Sequence, residues 1–188
     1  MSPDPFVGDA GRVVAELSVA AAPAAAPAAA PAAAPAAAPA PAASSSAAAS
    51  AGPLCLSLAE LVSWGEAFGR SVRAPRVVAL HGELGAGKTT LVQAIARGYG
   101  VTVPVTSPTF ALVHEYAAGG ALIYHLDLYR LRDARDLLHI GWSDIVESGA
   151  LVLIEWPDRA GAALPEGAMH LSLAHVPNDQ EHRLLTQR

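Results

Sequence analysis

The chain has one cysteine, Cys55, and one lysine, Lys88, among its 188 residues. A single thiol forms no internal disulfide and no multi-cysteine metal centre, which points to a reducing cytoplasm. Aromatic residues are scarce, at 5%. An apolar stretch from Val13 to Ala22 is flanked by Asp4, Asp9 and Glu16 and lacks a basic start, the wrong pattern for a secretory signal. Proline interrupts every later apolar run, so no transmembrane helix and no membrane partner are expected. Basic residues are also few. Beyond residue 52 the chain carries 14 acidic and 11 basic residues, a balance of −3. That argues against an autonomous nucleic-acid binder.

Alanine and proline are abundant, and they are concentrated at one end. Residues 20–43 are alanine and proline only, with Pro23, Pro27, Pro31, Pro35 and Pro39 at a period of four; residues 44–52 continue in serine, alanine and glycine. Alanine favours a helix, but each proline removes a backbone donor and clashes with the preceding turn, at about 3 kcal/mol. Residues 1–52 are therefore expected to be a disordered Ala/Pro-rich extension, partly polyproline II, acting as a semi-rigid spacer. Residues 53–188 are the folded candidate, long enough for a single core.

Ser57-Leu-Ala-Glu60 is a capping box and opens a helix over 57–70. "RVVALH" (76–81) is short and β-branched, a buried strand. A glycine loop (82–87) follows, then a helix from Lys88 that stops near Gly98 or Gly100. "FALVHEY" (110–116) and "ALIYHLDL" (121–128), joined by Ala-Ala-Gly-Gly, predict an antiparallel hairpin. A short polar helix is expected around 133–138 and a strand over 150–156. "MHLSLAHV" and "HRLLTQ" read as two terminal strands. The expectation is an α/β fold, with a mixed, mostly parallel sheet flanked by helices.

The glycine loop carries chemistry. Gly82-Glu83-Leu84-Gly85-Ala86-Gly87-Lys88-Thr89 has the Walker A spacing, continued by Thr90. Glycines let backbone N–H groups converge on an anion, and the helix starting at Lys88 adds its positive end. A lysine reaches the β- and γ-phosphates as a compact charge, which a planar guanidinium does less well; this accounts for the one lysine among so many arginines. Thr89 offers a hydroxyl to Mg²⁺. A hydrophobic strand ending in a carboxylate should complete the cation site, and "LVLIE" ends in Glu155. Contact with Mg²⁺ is open between direct and through water. Trp156 either caps the core or serves the site.

Two further polar clusters lie between. "TSPTF" (106–110) contains Thr109, with Pro108 keeping Ser107 out of the helical region; the segment reads either as a γ-phosphate-sensing switch or as ordinary Ser-Pro-Thr turn chemistry. "YHLDLYRL" (124–131) places His125, Asp127 and Tyr129 on one strand face. Asp127 is the candidate for orienting a water or helping to hold Mg²⁺; His125 reads as a satisfied structural histidine rather than as half of a metal pair with Asp127, for which no third ligand has a recognisable spacing. Arg130, Arg132 and Arg135 alternate with aspartates as a solvated charged face, or, for Arg130 beside Asp127, as an approach to phosphate or a partner. An Asn-Lys-x-Asp guanine signature is missing, which tilts the reading toward ATP.

In this order and spacing, "HGELGAGKTT", "TSPTF", "YHLDLYRL" and "LVLIEWP" resemble the TsaE (YjeE) family over about residues 54–176. The resemblance implies a P-loop NTPase fold and a weak, partner-dependent ATPase of tRNA N6-threonylcarbamoyladenosine synthesis, working with the TsaB and TsaD proteins. Contact with tRNA would be indirect, through that complex. By position, Lys88, Asp127 and Glu155 would be catalytic, and Thr89 with Glu155 would hold Mg²⁺. Thr109 and Trp156 would lie against the nucleotide. The Ala/Pro extension falls outside the pattern, and "RDARDLLHIGWSDIV" departs from it with aspartates in place of glutamates.

Two other functions share these motifs. A small-molecule P-loop kinase would also carry an arginine-bearing lid, and no separate segment for one is visible. A non-catalytic, ATP-gated interaction module would bind nucleotide yet be indifferent to loss of Asp127. Deleting residues 1–52 is expected to leave both phosphate-ligand affinity and melting temperature unchanged, because that composition buries little apolar surface. Titration calorimetry and thermal scans of the full and shortened chains check this, and a large drop in either would refute it.

Overall fold

The computed structural model describes residues 52–188. The expected Ala/Pro spacer lies outside the described residues, apart from Gly52. Seven strands form one sheet, with helices packed on both faces. In chain order they are β1 (Leu54–Ser57), β2 (Arg76–His81), β3 (Val113–Ala118), β4 (Ala121–Asp127), β5 (Leu151–Glu155), β6 (Met169–Val176) and β7 (Asp179–Gln187). The helices are α1 (Leu58–Ser71), α2 (Lys88–Tyr99) and α3 (Trp142–Glu147), with 3-10 segments over Ala134–Ile140 and Pro157–Ala163. Among the described residues no helix is long and apolar enough to cross a membrane.

The sheet order is β1-β7-β6-β2-β5-β4-β3. The four central strands, β6, β2, β5 and β4, run parallel. Antiparallel strands close both edges, β3 beside β4 and β7 with β1 beyond β6. The mixed sheet expected from the sequence is thus present, with its parallel part in the middle. β5 lies at the heart of that part, and each of its five residues is buried. A continuous apolar run is what a strand covered on both faces requires.

The apolar side chains divide between the two faces. On one, Leu61 of α1 and Leu91, Val92 and Ile95 of α2 pack on Val78, Leu80, Leu151 and Leu153. On the other, Trp142 and Ile145 of α3 and Leu137 pack on Leu126, Val152 and Ile154. The capping box forms as expected: Glu60 Oε2 accepts from the Ser57 N–H at 2.8 Å, and the Glu60 N–H donates to Ser57 Oγ at 3.4 Å. α1 and α2 approach closely because Gly65, Gly69 and Gly98 lie in their contact; a Cβ on Gly69 would strike the Ile95 carbonyl, and one on Gly98 the Glu66 carbonyl.

Several elements differ from the sequence reading. β3 starts at Val113 rather than at residue 110, because the Leu112 N–H donates to Pro108 O at 2.6 Å and Leu112 takes φ of 65°. A turn therefore separates "TSPTF" from the strand. β4 ends at Asp127, and Tyr129 lies in the turn that follows instead of on the strand face with His125 and Asp127. β7 begins at Asp179, three residues early, behind a turn in which Asn178 has φ of 62°. β1 was not foreseen. It is a four-residue edge strand that gains its identity only by pairing with β7. The polar helix near 133–138 is a 3-10 segment reaching Ile140, and α3 follows directly after Gly141 at φ of 70°.

The glycine contact between α1 and α2 yields a stability prediction. Gly69→Ala is expected to destabilise the fold by about 1–3 kcal/mol through overpacking. Gly167→Ala, where a Cβ meets nothing within 4 Å, is expected to be neutral. Urea unfolding of the two variants checks the difference, and equal midpoints would refute it.

Candidate functional site

β2, β5 and β4 are neighbours, and their register aligns their carboxyl ends. Leu80 lies opposite Glu155, and Glu155 opposite Asp127. The loop leaving β2 therefore passes over the ends of the strands bearing both carboxylates, where open α/β sheets bind ligands. The loop has the required backbone. Gly82, Gly85 and Gly87 have φ of 142°, 77° and 99°, values that β-carbon-bearing residues avoid. A Cβ on Gly82 would run into the Leu173 carbonyl on β6. Gly87 caps α2 without a side-chain hydrogen bond, so N–H groups at the start of that helix are left for a ligand.

Lys88 opens α2 and is 4% exposed. Its Nζ donates to Gly82 O at 2.7 Å and Glu83 O at 2.8 Å, and it lies 3.8 Å from the centre of the Trp156 ring. Burial pushes its ammonium below the ordinary lysine range, while the Glu155 and Asp127 carboxylates push it back up. Trp156 reaches this position from a left-handed backbone, φ 57°, directly after β5. Tyr129 also packs against Trp156, with ring centroids 4.9 Å apart and the planes tilted by 46°.

Both carboxylates are buried and hydrogen-bonded. Glu155 accepts from Thr89 Oγ1 at 2.8 and 3.0 Å through its two oxygens, and from His125 Nε2 at 2.9 Å through Oε1. Asp127 Oδ2 accepts from Ser107 Oγ at 3.0 Å and Thr109 Oγ1 at 3.5 Å; its Oδ1 accepts from the Tyr129 N–H at 3.1 Å. Ser107 and Thr109 lie 2.8 Å apart. The "TSPTF" segment is thereby tied to the end of β4 through two hydroxyls.

One cavity of about 380 Å³ joins these groups: Leu84, Gly85, Gly87, Lys88, Thr89, Thr90, Thr109, Asp127, Glu155 and Trp156 all line it. Three loop residues singled out in the sequence do not. Gly82 and Glu83 turn their carbonyls to Lys88, and Ala86 is buried beneath the loop. Ser107, Tyr129 and Arg130 also line the cavity; of the three, the sequence offered only Arg130, beside Asp127, for an approach to phosphate. Arg130 stacks on Phe110, 4.3 Å from its ring centre, whereas Arg135 pairs with Asp133 at 2.8 Å and is exposed.

The donor set suits a nucleotide with Mg²⁺. A threonine hydroxyl and a carboxylate are hard oxygen ligands, and Mg²⁺ in such sites draws further oxygens from bound phosphate. Among the described residues no group of three or more His, Cys, Asp or Glu is placed to hold a metal alone. Lys88, whose two hydrogen-bond acceptors are backbone carbonyls, holds donors that phosphate oxygens would take over.

A family model described as Threonylcarbamoyl adenosine biosynthesis protein TsaE matches residues 55–184. Proteins named tRNA threonylcarbamoyladenosine biosynthesis protein TsaE are similar to the chain. The one from Nostoc is 46% identical over 98 residues, covering 50% of this chain and 60% of that protein. Those from Haemophilus influenzae and Treponema pallidum are 39% and 38% identical, and the matches cover 59% and 62% of this chain and 70% and 86% of theirs. The crystal structure of Bacillus subtilis YdiB superposes with a TM-score of 0.59 at 25% identity, covering 72% of this chain and 84% of that one.

Lys88 against the Trp156 ring provides an optical test. Tripolyphosphate is expected to draw the ammonium away and change tryptophan emission, and Trp156→Phe to abolish the change. Trp64 and Trp142 do not line this cavity. A fluorescence titration checks it; an unaltered response in the Phe variant would sink the assignment.

Proposed function

The chain belongs to the TsaE family of threonylcarbamoyl adenosine biosynthesis proteins, and from that premise we propose that it binds Mg-ATP and hydrolyses it in support of tRNA N6-threonylcarbamoyladenosine synthesis. The observation that carries this reading is the contact of Thr89 with Glu155 beneath a glycine loop whose lysine is buried. Residues 53–188 are the proposed ATPase domain, and residues 1–52 an extension outside it. The cytoplasm is the proposed location.

In this reading, loop N–H groups and Lys88 bind the triphosphate, with Lys88 exchanging two carbonyl acceptors for phosphate oxygens. Thr89 and Glu155 would hold Mg²⁺, which supplies charge neutralisation at the phosphates when bound. Asp127 is fixed by Ser107, Thr109 and the Tyr129 N–H. In this reading it accepts a hydrogen bond from the attacking water and so orients it. Thr109 couples that carboxylate to the switch segment, and Trp156 shields Lys88 from solvent. Gly82, Glu83 and Ala86 act through loop backbone, and Leu84, Gly85, Gly87 and Thr90 by lining the nucleotide.

The proposed partners are the TsaB and TsaD proteins, whose cycle the hydrolysis would reset. The site fills the loops at one end of a small sheet, and the acidic balance gives no independent hold on tRNA. Contact with tRNA would pass through the complex.

ATP hydrolysis measured alone, and with TsaB, TsaD and tRNA, tests the proposal. Low turnover that rises with the partners and vanishes in Glu155→Ala is expected. Lys88→Ala is expected to lose about ten- to hundredfold in nucleotide affinity, the worth of a charged phosphate contact. Turnover indifferent to the partners would cut the link to tRNA modification, and phosphate appearing on a metabolite would favour a kinase.

A further inference from the structure

His125 is wholly buried, with 0% exposure, toward the carboxyl end of β4 and two residues before Asp127. It is in register with His114 on β3 and Leu153 on β5. Its Nε2 contacts Glu155 Oε1 at 2.9 Å, and its Nδ1 has no hydrogen-bond partner. A carboxylate oxygen can only accept from imidazole N–H, so the hydrogen of this contact resides on Nε2. An unpaired Nδ1 lone pair is tolerable, whereas a hydrogen there would be a buried donor with no acceptor. A histidine needed only to fill the core has no reason to keep a polar edge in that position; an apolar residue of similar volume would avoid the orphaned nitrogen.

We propose that His125 is a positioning residue for Glu155, holding Oε1 through Nε2–H so that Oε2 faces the cation site. The inference rests on the Mg-ATP reading. Glu155 has two hydrogen-bonding partners, Thr89 and His125. The Thr89 hydroxyl has one hydrogen to share between the two carboxylate oxygens, and its lone pairs are what a cation would use. His125 supplies the donor whose direction is fixed by strand packing and does not depend on what occupies the cavity. Outer partners of this kind orient metal ligands, and their loss costs metal affinity.

Two substitutions separate the hydrogen bond from packing. His125→Gln keeps an N–H near the position of Nε2, and His125→Leu fills the volume without one. Mg²⁺ is titrated into the ADP complex of each full-length chain, and ADP affinity is measured separately in EDTA. His125→Leu is expected to weaken Mg²⁺ about tenfold or more and His125→Gln to restore it to within about threefold. Both are expected to leave ADP affinity in EDTA unchanged. Undiminished Mg²⁺ affinity in the Leu variant, or a parallel loss of ADP in EDTA, would overturn the positioning role. Failure of the unsubstituted chain to bind ADP would instead refute the nucleotide reading. A long-range proton–nitrogen spectrum of the unliganded chain is independent of that reading. The hydrogen is expected on Nε2, with its resonance displaced in Glu155→Gln. A hydrogen on Nδ1 would overturn the inference.

Discussion

Three charged side chains, Lys88, Glu155 and Asp127, are held almost out of water at one end of the sheet. The rest of the site follows from that constraint. An unpaired charge in such a place costs several kcal/mol, so each group needs fixed partners before any ligand arrives. Lys88 takes two loop carbonyls and a tryptophan face, Glu155 a threonine and a histidine, and Asp127 two hydroxyls and a backbone N–H. The partners come from the glycine loop, α2, β4 and the turn after it, the "TSPTF" segment and the residue after β5. The site is therefore assembled with the core.

Strand order makes this possible. β5 lies between β2 and β4, so the loop and two carboxylates from distant parts of the chain emerge side by side. Both faces of the sheet are covered, which buries β5 throughout and excludes water from beneath the site. The glycines between α1 and α2 let the helix that begins with Lys88 sit close on its neighbour. The packing of α1 on α2 thus bears on where Lys88 sits.

Much of the architecture was legible from local pattern. The capping box, the β-branched run of β2, the helix after the glycine loop and the apolar β5 each carry a signal within a few residues, and each is present where expected. The misses have a common cause. β1 has four residues and no alternation, so its state depends on β7 across the sheet. The delayed start of β3 depends on a turn closed at Pro108, and Phe110, which reads as a strand residue, is exposed and stacked on Arg130. Tyr129 continues the alternation of β4, but the strand ends before it.

Within the site, loop chemistry and the identities of Lys88, Thr89, Asp127 and Glu155 were readable because spacing along one chain encodes them. Period-two alternation also put His125 and Asp127 on one face. The sequence by itself determined the glycine loop, the helix it opens, the buried carboxylate strand and the family, since these depend on contacts between near neighbours or on motif order. Tertiary structure alone decided that His125 bonds Glu155, that Ser107 and Thr109 bond Asp127, and that Trp156 lies on Lys88. Those contacts join residues separated by 18 to 68 positions, and nothing but the packing of β4 against β5 and of both beneath the loop brings them together.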